Sequence, residues 1–103
     1  MPTALENRTF HFDLGGLKVR YTFEPDDKAT FVVTDGAGLA PDGHTETVAI
    51  TATEIRPNVW LNAWREANGS TVTHVEDFEK GVLYSNVTVD GQLYTLTGTI
   101  KEI

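Results

Sequence analysis

Glu66 ends the run Val59-Trp60-Leu61-Asn62-Ala63-Trp64-Arg65-Glu66, whose alternate positions bring a carboxylate, an amide and both tryptophans of the chain onto one face of a strand. A carboxylate turned inward beside two indoles is desolvated, which raises its pKa and suits it to general acid or base work near neutral pH. A strand-end glutamate exposed at the mouth of a cavity is the other placement that fits, and the sequence leaves both open. Trp60 and Trp64 are either core residues or a platform for a flat ligand. Asn62 on the same face needs a polar partner if buried, and a bound molecule or water can supply one.

The chain continues Ala67-Asn68-Gly69-Ser70 and then Thr71-Val72-Thr73-His74-Val75-Glu76-Asp77. Asn-Gly is the strongest short signal for a two-residue type I′ hairpin. With Asn68 and Gly69 as the turn residues, Glu66 faces Thr71, Trp64 faces Thr73, Asn62 faces Val75 and Trp60 faces Asp77. One face then carries Trp60, Asn62, Trp64, Glu66, Thr71, Thr73, Val75 and Asp77, a mixture suited to a ligand cavity. The opposite face carries Leu61, Ala63, Arg65, Val72, His74 and Glu76. Its apolar centre is the expected patch for a homodimer, with scattered surface hydrophobics as the plainer explanation.

The elements that must position these residues are strands throughout. Leu17 to Glu24 alternates, with Leu17, Val19, Tyr21 and Phe23 on one face. Thr9 to Leu14 puts Phe10, Phe12 and Leu14 on one side, and Gly15-Gly16 joins the two strands as a hairpin. Ala29 to Thr34 is a β-branched third strand after a Pro25-Asp26-Asp27 turn. Asp35 to His44 is a glycine-rich loop, expected as a lid over one end. Thr45 to Glu54 is a fourth strand, stopped before Pro57. The tryptophan hairpin supplies two more. Val82 to Val89 and Gln92 to Lys101 complete the set around Asp90-Gly91, pairing Val87 with Tyr94, Ser85 with Leu96 and Leu83 with Gly98. Eight short strands joined mainly by next-neighbour hairpins predict an all-β, antiparallel up-and-down barrel, because closure removes exposed edges. A two-sheet sandwich is the alternative that alternation does not exclude.

At 103 residues the chain predicts one domain, residues 1–103. Eight basic against fifteen acidic residues give a net charge of −7, with the basic ones scattered, so neither nucleic acid nor an anionic membrane surface is an expected partner. The absence of cysteine removes thiolate chemistry and is compatible with a reducing compartment. With no export signal and no long apolar run, a cytoplasmic location is expected. His11, His44 and His74 match no metal-ligand spacing and are expected at the surface or in loops, so no metal or other cofactor is anticipated. Gly36, Gly38 and Gly43 precede no helix and make no phosphate loop.

The stretch Ile55-Arg56-Pro57-Asn58-Val59-Trp60, then Trp64-Arg65-Glu66, then Thr71 through Gly81, with the late Asp90-Gly91 and Gly98-Thr99, resembles the MoaF-like family of lipocalin-like barrels. That family is named for its association with molybdenum-cofactor genes, and its biochemical role is not settled. The resemblance covers the second half of the chain by residues and the first half by strand pattern. It implies a calycin-type barrel with a central cavity. The Trp-x-Glu element is also similar to that of bacterial phenolic acid decarboxylases, cofactor-free barrels in which the matching glutamate, Glu66 here, handles a proton in the cavity. Their two first-strand tyrosines are replaced by Phe10 and Phe12, and their arginine after the glycine-rich loop has no match near Gly43-His44-Thr45-Glu46.

The expected function is binding of a small apolar or aromatic molecule by Phe10, Phe12, Tyr21, Trp60, Asn62, Trp64 and Thr73, with Glu66 at the cavity. The alternative is a cofactor-free lyase or isomerase in which Glu66 is the general acid or base. Tyr21, Tyr94 and Arg65 are the candidates for a second polar group.

Overall fold

A computed structural model describes residues 4–103. Eight strands follow in order: β1 (Thr9–Leu14), β2 (Leu17–Glu24), β3 (Lys28–Asp35), β4 (Thr45–Arg56), β5 (Val59–Arg65), β6 (Thr71–Asp77), β7 (Val82–Val89) and β8 (Gln92–Glu102). Each pairs antiparallel with the next, and β8 pairs with β1, so the sheet closes into an up-and-down barrel. The predicted architecture is the observed one, and the sandwich is excluded.

Tight turns set the register. Leu14 faces Leu17 across Gly15-Gly16, whose φ values are +70° and +120°. Asp90 and Gly91 lie at +51° and +77°, as a type I′ turn requires, and Val87 faces Tyr94, Ser85 faces Leu96 and Leu83 faces Gly98 as predicted. Gly98 leaves β8 no room for a side chain against β1: a Cβ built there would lie 1.9 Å from the Asp13 carbonyl oxygen.

The tryptophan hairpin corrects the sequence reading by one residue. Trp64 faces Val72, Asn62 faces His74 and Trp60 faces Glu76. Gly69 takes φ +92° while Asn68 stays outside the positive-φ set, and Gly69 N donates to Glu66 O at 2.9 Å. That is a three-residue loop, Ala67-Asn68-Gly69, built on a type I turn with a left-handed glycine closing it. Asn68 uses its side chain instead of its backbone, its Oδ1 accepting from Ser70 N at 2.9 Å. A one-residue slip reverses every side chain of β6. Val72, His74 and Glu76 therefore point inward, whereas Thr71 and Thr73 are exposed.

Three layers fill the interior. At one end Leu5, Phe10, Phe23 and Phe78 form an apolar plug, with Phe10 4.9 Å from Phe78 and 5.8 Å from Phe23, centroid to centroid. Arg8 lies 5.3 Å over the Phe10 ring and pairs with Glu102 at 2.8 Å, fastening the chain before β1 to the end of β8. The middle layer is polar: Tyr21, Asn62, His74, Glu76 and Ser85, beside Phe12. The other end holds a cavity under the β3–β4 loop. Gly36 and Gly43 fold that loop back. Gly43 N donates to Val33 O at 2.7 Å, and a Cβ on Gly36 would lie 1.6 Å from the Ala40 carbonyl oxygen.

Candidate functional site

The cavity has a volume of about 90 Å³. It is smaller than the engineered apolar cavity of about 150 Å³ known to hold benzene. Its walls are apolar: Leu14 from β1, Leu17 and Val19 from β2, Phe31 and Val33 from β3, Val72 from β6 and Val87 from β7. Leu39 and Ala40 of the glycine-rich loop cover it, so that loop lies where the sequence reading expects a lid. The polar groups on its boundary are Tyr21, His44, Glu66, His74 and Ser85, with the Trp64 indole among them.

Beneath the cavity a chain of hydrogen bonds crosses the barrel. The Asn62 amide donates from Nδ2 to Tyr21 Oη at 2.9 Å and to Glu76 Oε2 at 3.3 Å. The same carboxylate oxygen lies 3.0 Å from His74 Nδ1. Residues i and i+2 of a strand share a face, which is why His74 and Glu76 reach each other. Tyr21, Asn62 and Glu76 are fully buried, and His74 is 3% exposed. Burial, then the nearby Glu76 charge, pushes the Tyr21 hydroxyl well above its usual pKa, against a smaller opposing effect of the Asn62 hydrogen bond. Three enclosed side-chain atoms of the described residues have no hydrogen-bond partner: Asn62 Oδ1, Glu76 Oε1 and Ser85 Oγ. Buried polar atoms left this way are rare in native folds and call for an explanation.

Glu66 takes the mouth. Its side chain is half-buried, and Trp64 Nε1 donates to its Oε2 at 3.2 Å. Burial raises its pKa above the ordinary carboxylate value, the Trp64 bond and the charges of His44 and His74 pull the other way, and Glu46 adds to the rise. Glu46 is itself held by the hairpin loop, accepting from Ala67 N at 2.6 Å, and His44 Nε2 lies 3.3 Å from its other oxygen. Trp64 links mouth and floor, because its ring also stands edge-on to the His74 imidazole at 4.9 Å between centroids.

Of the residues singled out from the sequence, Phe12, Tyr21, Trp64 and Glu66 border the cavity, and Asn62 lies in the polar layer beneath it. Phe10 belongs to the plug, and Trp60 is half-buried against the core away from the cavity. Thr73 is corrected: the three-residue loop turns it to the outer surface. His74 is corrected in the opposite sense, from surface to interior, together with Glu76. The expected dimer patch changes accordingly. It loses Val72, His74 and Glu76 to the interior and keeps Leu61, Ala63 and Arg65 on the outside. Leu61 is in register with Val75, and Val75 with the exposed Tyr84 of β7. Tyr94 and Arg65 border no part of the cavity. Among the described residues no group of three or more His, Cys, Asp or Glu side chains converges as a metal site would require.

Comparison with known proteins places this geometry. A family profile described as MoaF-like matches residues 6–101. A solved structure from Burkholderia vietnamiensis, described as a "putative beta-lactamase", shares 25% sequence identity and superposes with a TM-score of 0.89 over 96% of this chain and 95% of that one. No curated protein matches the chain.

Proposed function

The chain belongs to the MoaF-like family, and we propose that it binds a small, largely apolar molecule bearing one polar group in the cavity under the β3–β4 loop. The observation that carries this reading is the division of one cavity into apolar walls and a boundary set with His74 and Glu66. Apolar walls supply affinity by removing ligand surface from water, and the two polar groups fix its orientation.

Trp64 on the cavity wall provides the test. In a Trp60→Phe variant Trp64 is the sole indole. Titration with phenol, benzaldehyde and benzoate is expected to give a saturable fluorescence change with at least one of them. The same titration of a Val87→Trp, Trp60→Phe variant, in which the added ring fills the cavity, is expected to give none. Absence of any saturable response in the first variant refutes the binding reading.

A second reading, Glu66 as the general acid or base of a cofactor-free lyase or isomerase, is favoured by its place at the mouth, its bond to Trp64 and its raised pKa. It is tested by comparing turnover by wild type and Glu66→Gln, and equal turnover rejects it. The beta-lactamase description of the Burkholderia protein gains no support from Ser85, the cross-strand partner of His74: Ser85 Oγ is enclosed and makes no hydrogen bond to the imidazole.

A further inference from the structure

The Glu76–His74 pair is buried, hydrogen-bonded and set against the cavity, yet ligand binding alone does not require it. Glu76 Oε2 lies 3.0 Å from His74 Nδ1. With the carboxylate as acceptor, Nδ1 carries the proton and donates, so the lone pair of the imidazole sits on Nε2. Nε2 has no hydrogen-bond partner among the described residues. His74 borders the cavity, and Nε2 is the ring nitrogen that the Glu76 bond leaves available to it. The ring is clamped edge-on by Trp64 at 4.9 Å and Phe12 at 5.6 Å, which fixes the direction of that lone pair. Asn62 Nδ2, at 3.3 Å from the same Glu76 oxygen, holds the carboxylate in turn. A base oriented by a carboxylate, itself oriented by an amide, is an arrangement for moving protons.

Glu66 stands at the mouth of the same cavity, directly after β5, the strand that pairs with the β6 strand of His74. The Trp64 indole contacts both, with Nε1 on the carboxyl and the ring against the imidazole, so the two acid–base groups stand about one indole apart.

We propose that His74 is the base, and Glu66 the acid, for enolisation of a small, largely apolar aldehyde or ketone held in this cavity, with Glu76 as the positioning residue. His74 Nε2 takes the proton from the carbon next to the carbonyl. The C–H electron pair becomes the C=C bond, the carbonyl π pair moves to oxygen, and that oxygen takes the proton of the Glu66 carboxyl. The enol then returns its O–H proton to Glu66, and the imidazolium gives its proton to the same carbon or to one conjugated with it. Exchange at the first carbon follows when the imidazolium swaps its proton with solvent water before returning one to that carbon, isomerisation follows when a proton is returned to the conjugated carbon, and no reactant other than solvent protons is involved. The inference rests on the cavity being a ligand site, and it adds the substrate class and a base that the sequence reading placed outside.

The experiment uses the full chain in D₂O with cyclopentanone and 2-butanone as probes. Proton NMR follows exchange at the carbon next to the carbonyl, and ligand-observed saturation transfer follows binding. Wild type is expected to accelerate exchange saturably, and His74→Gln to lower the rate at saturating ketone at least about 100-fold, the lower bound for loss of a general base, with saturation transfer reporting that the ketone still occupies the variant. In ¹⁵N-labelled wild type, His74 is expected as the Nδ1–H tautomer, and Glu76→Gln is expected to shift that signature and slow exchange while leaving ketone binding in place. The proposal is overturned by a ketone that binds without exchanging, by exchange that survives His74→Gln, or by an Nε2–H tautomer in the wild type. The first of these leaves the binding reading intact, whereas failure of both ketones and of the aromatic panel to bind removes the binding reading itself.

Discussion

Replacing Ser85 by alanine is expected to stabilise this protein. Ser85 is 2% exposed, and its Oγ is enclosed with no hydrogen-bond partner. An orphaned buried hydroxyl costs about 1–3 kcal/mol relative to one solvated in the unfolded chain. Alanine removes the oxygen and keeps Cβ, so the only loss is the dispersion of one heavy atom, about 0.1–0.2 kcal/mol per contact and roughly 0.5–1 kcal/mol in sum. The first effect is the larger, and the net gain is about 1 kcal/mol. In a domain of this size that corresponds to a rise in Tm of about 4–8 °C. Guanidinium unfolding checks it: the midpoint moves up with an unchanged slope. Asn86→Ala, one residue along β7 on the exposed face, serves as control and stays within about 0.5 kcal/mol of wild type. A loss of more than about 0.5 kcal/mol in Ser85→Ala would refute the reasoning, because it would mean that the hydroxyl is satisfied inside the barrel. A gain marks Ser85 as a residue kept at a cost in stability, as groups held for binding or chemistry are.

Other perturbations address the remaining parts of the structure. Tyr21 keeps its proton well above pH 10 in the folded state while the unfolded chain loses it near 10, so stability is expected to fall as pH rises above about 10. Absorbance titration is expected to show a late ionisation step that Tyr21→Phe removes, and ionisation of Tyr21 near its ordinary pKa without unfolding contradicts the burial argument. Glu66 has a raised folded pKa, so wild-type stability declines as pH rises from the unfolded value of about 4.5 through the folded one, and Glu66→Gln is expected to remove that decline. Parallel stability profiles for the two proteins between pH 4 and 7 count against it. Gly98→Ala drives a methyl into the Asp13 carbonyl and is expected to cost at least about 1–3 kcal/mol by opening the β1–β8 seam, measured by urea unfolding. Equal stability means that the seam adjusts. For assembly, we propose that Leu61, Val75 and Tyr84 form a self-association patch. Light scattering is expected to show a dimer that Leu61→Lys splits, and a monomeric wild type at high micromolar concentration ends that proposal.

Two Asx-Gly dipeptides show how far local sequence reaches. Asp90-Gly91 adopts positive φ at both residues and makes the two-residue turn, so β7 and β8 pair as counted. In Asn68-Gly69 only the glycine is left-handed, the loop takes in Ala67, and the pairing shifts by one. Both turns suit the same dipeptide, and what separates them is which register the flanking strands prefer. In β1 and β2 that preference is written in the residues, because Phe10, Phe12 and Leu14, or Leu17, Val19, Tyr21 and Phe23, leave only one face fit for a core. In β6 it is not: one face offers Thr71, Thr73, Val75 and Asp77, and the other Val72, His74 and Glu76. Neither is apolar.

The register that wins does so through partners that are invisible along the chain. Glu76 reaches Asn62 14 residues away, and Asn62 reaches Tyr21 41 residues away, and these meet only once β1 through β8 have closed around them. Without that closure an inward histidine and glutamate look like an error of patterning, since buried ionisable groups are disfavoured unless paired. The rule that fails at β6, apolar residues inside, succeeds for the other inward positions of β1, β2, β3 and β7 apart from Ser85. Its failure is therefore concentrated in β6, with Asn62 of β5 and Ser85 of β7 beside it, where the interior carries proton donors and acceptors instead of hydrocarbon. Misreading the turn and missing His74 and Glu76 have a single physical origin: a strand whose inner face is set by the chemistry it presents to the cavity carries no hydrophobic signal from which its register can be counted.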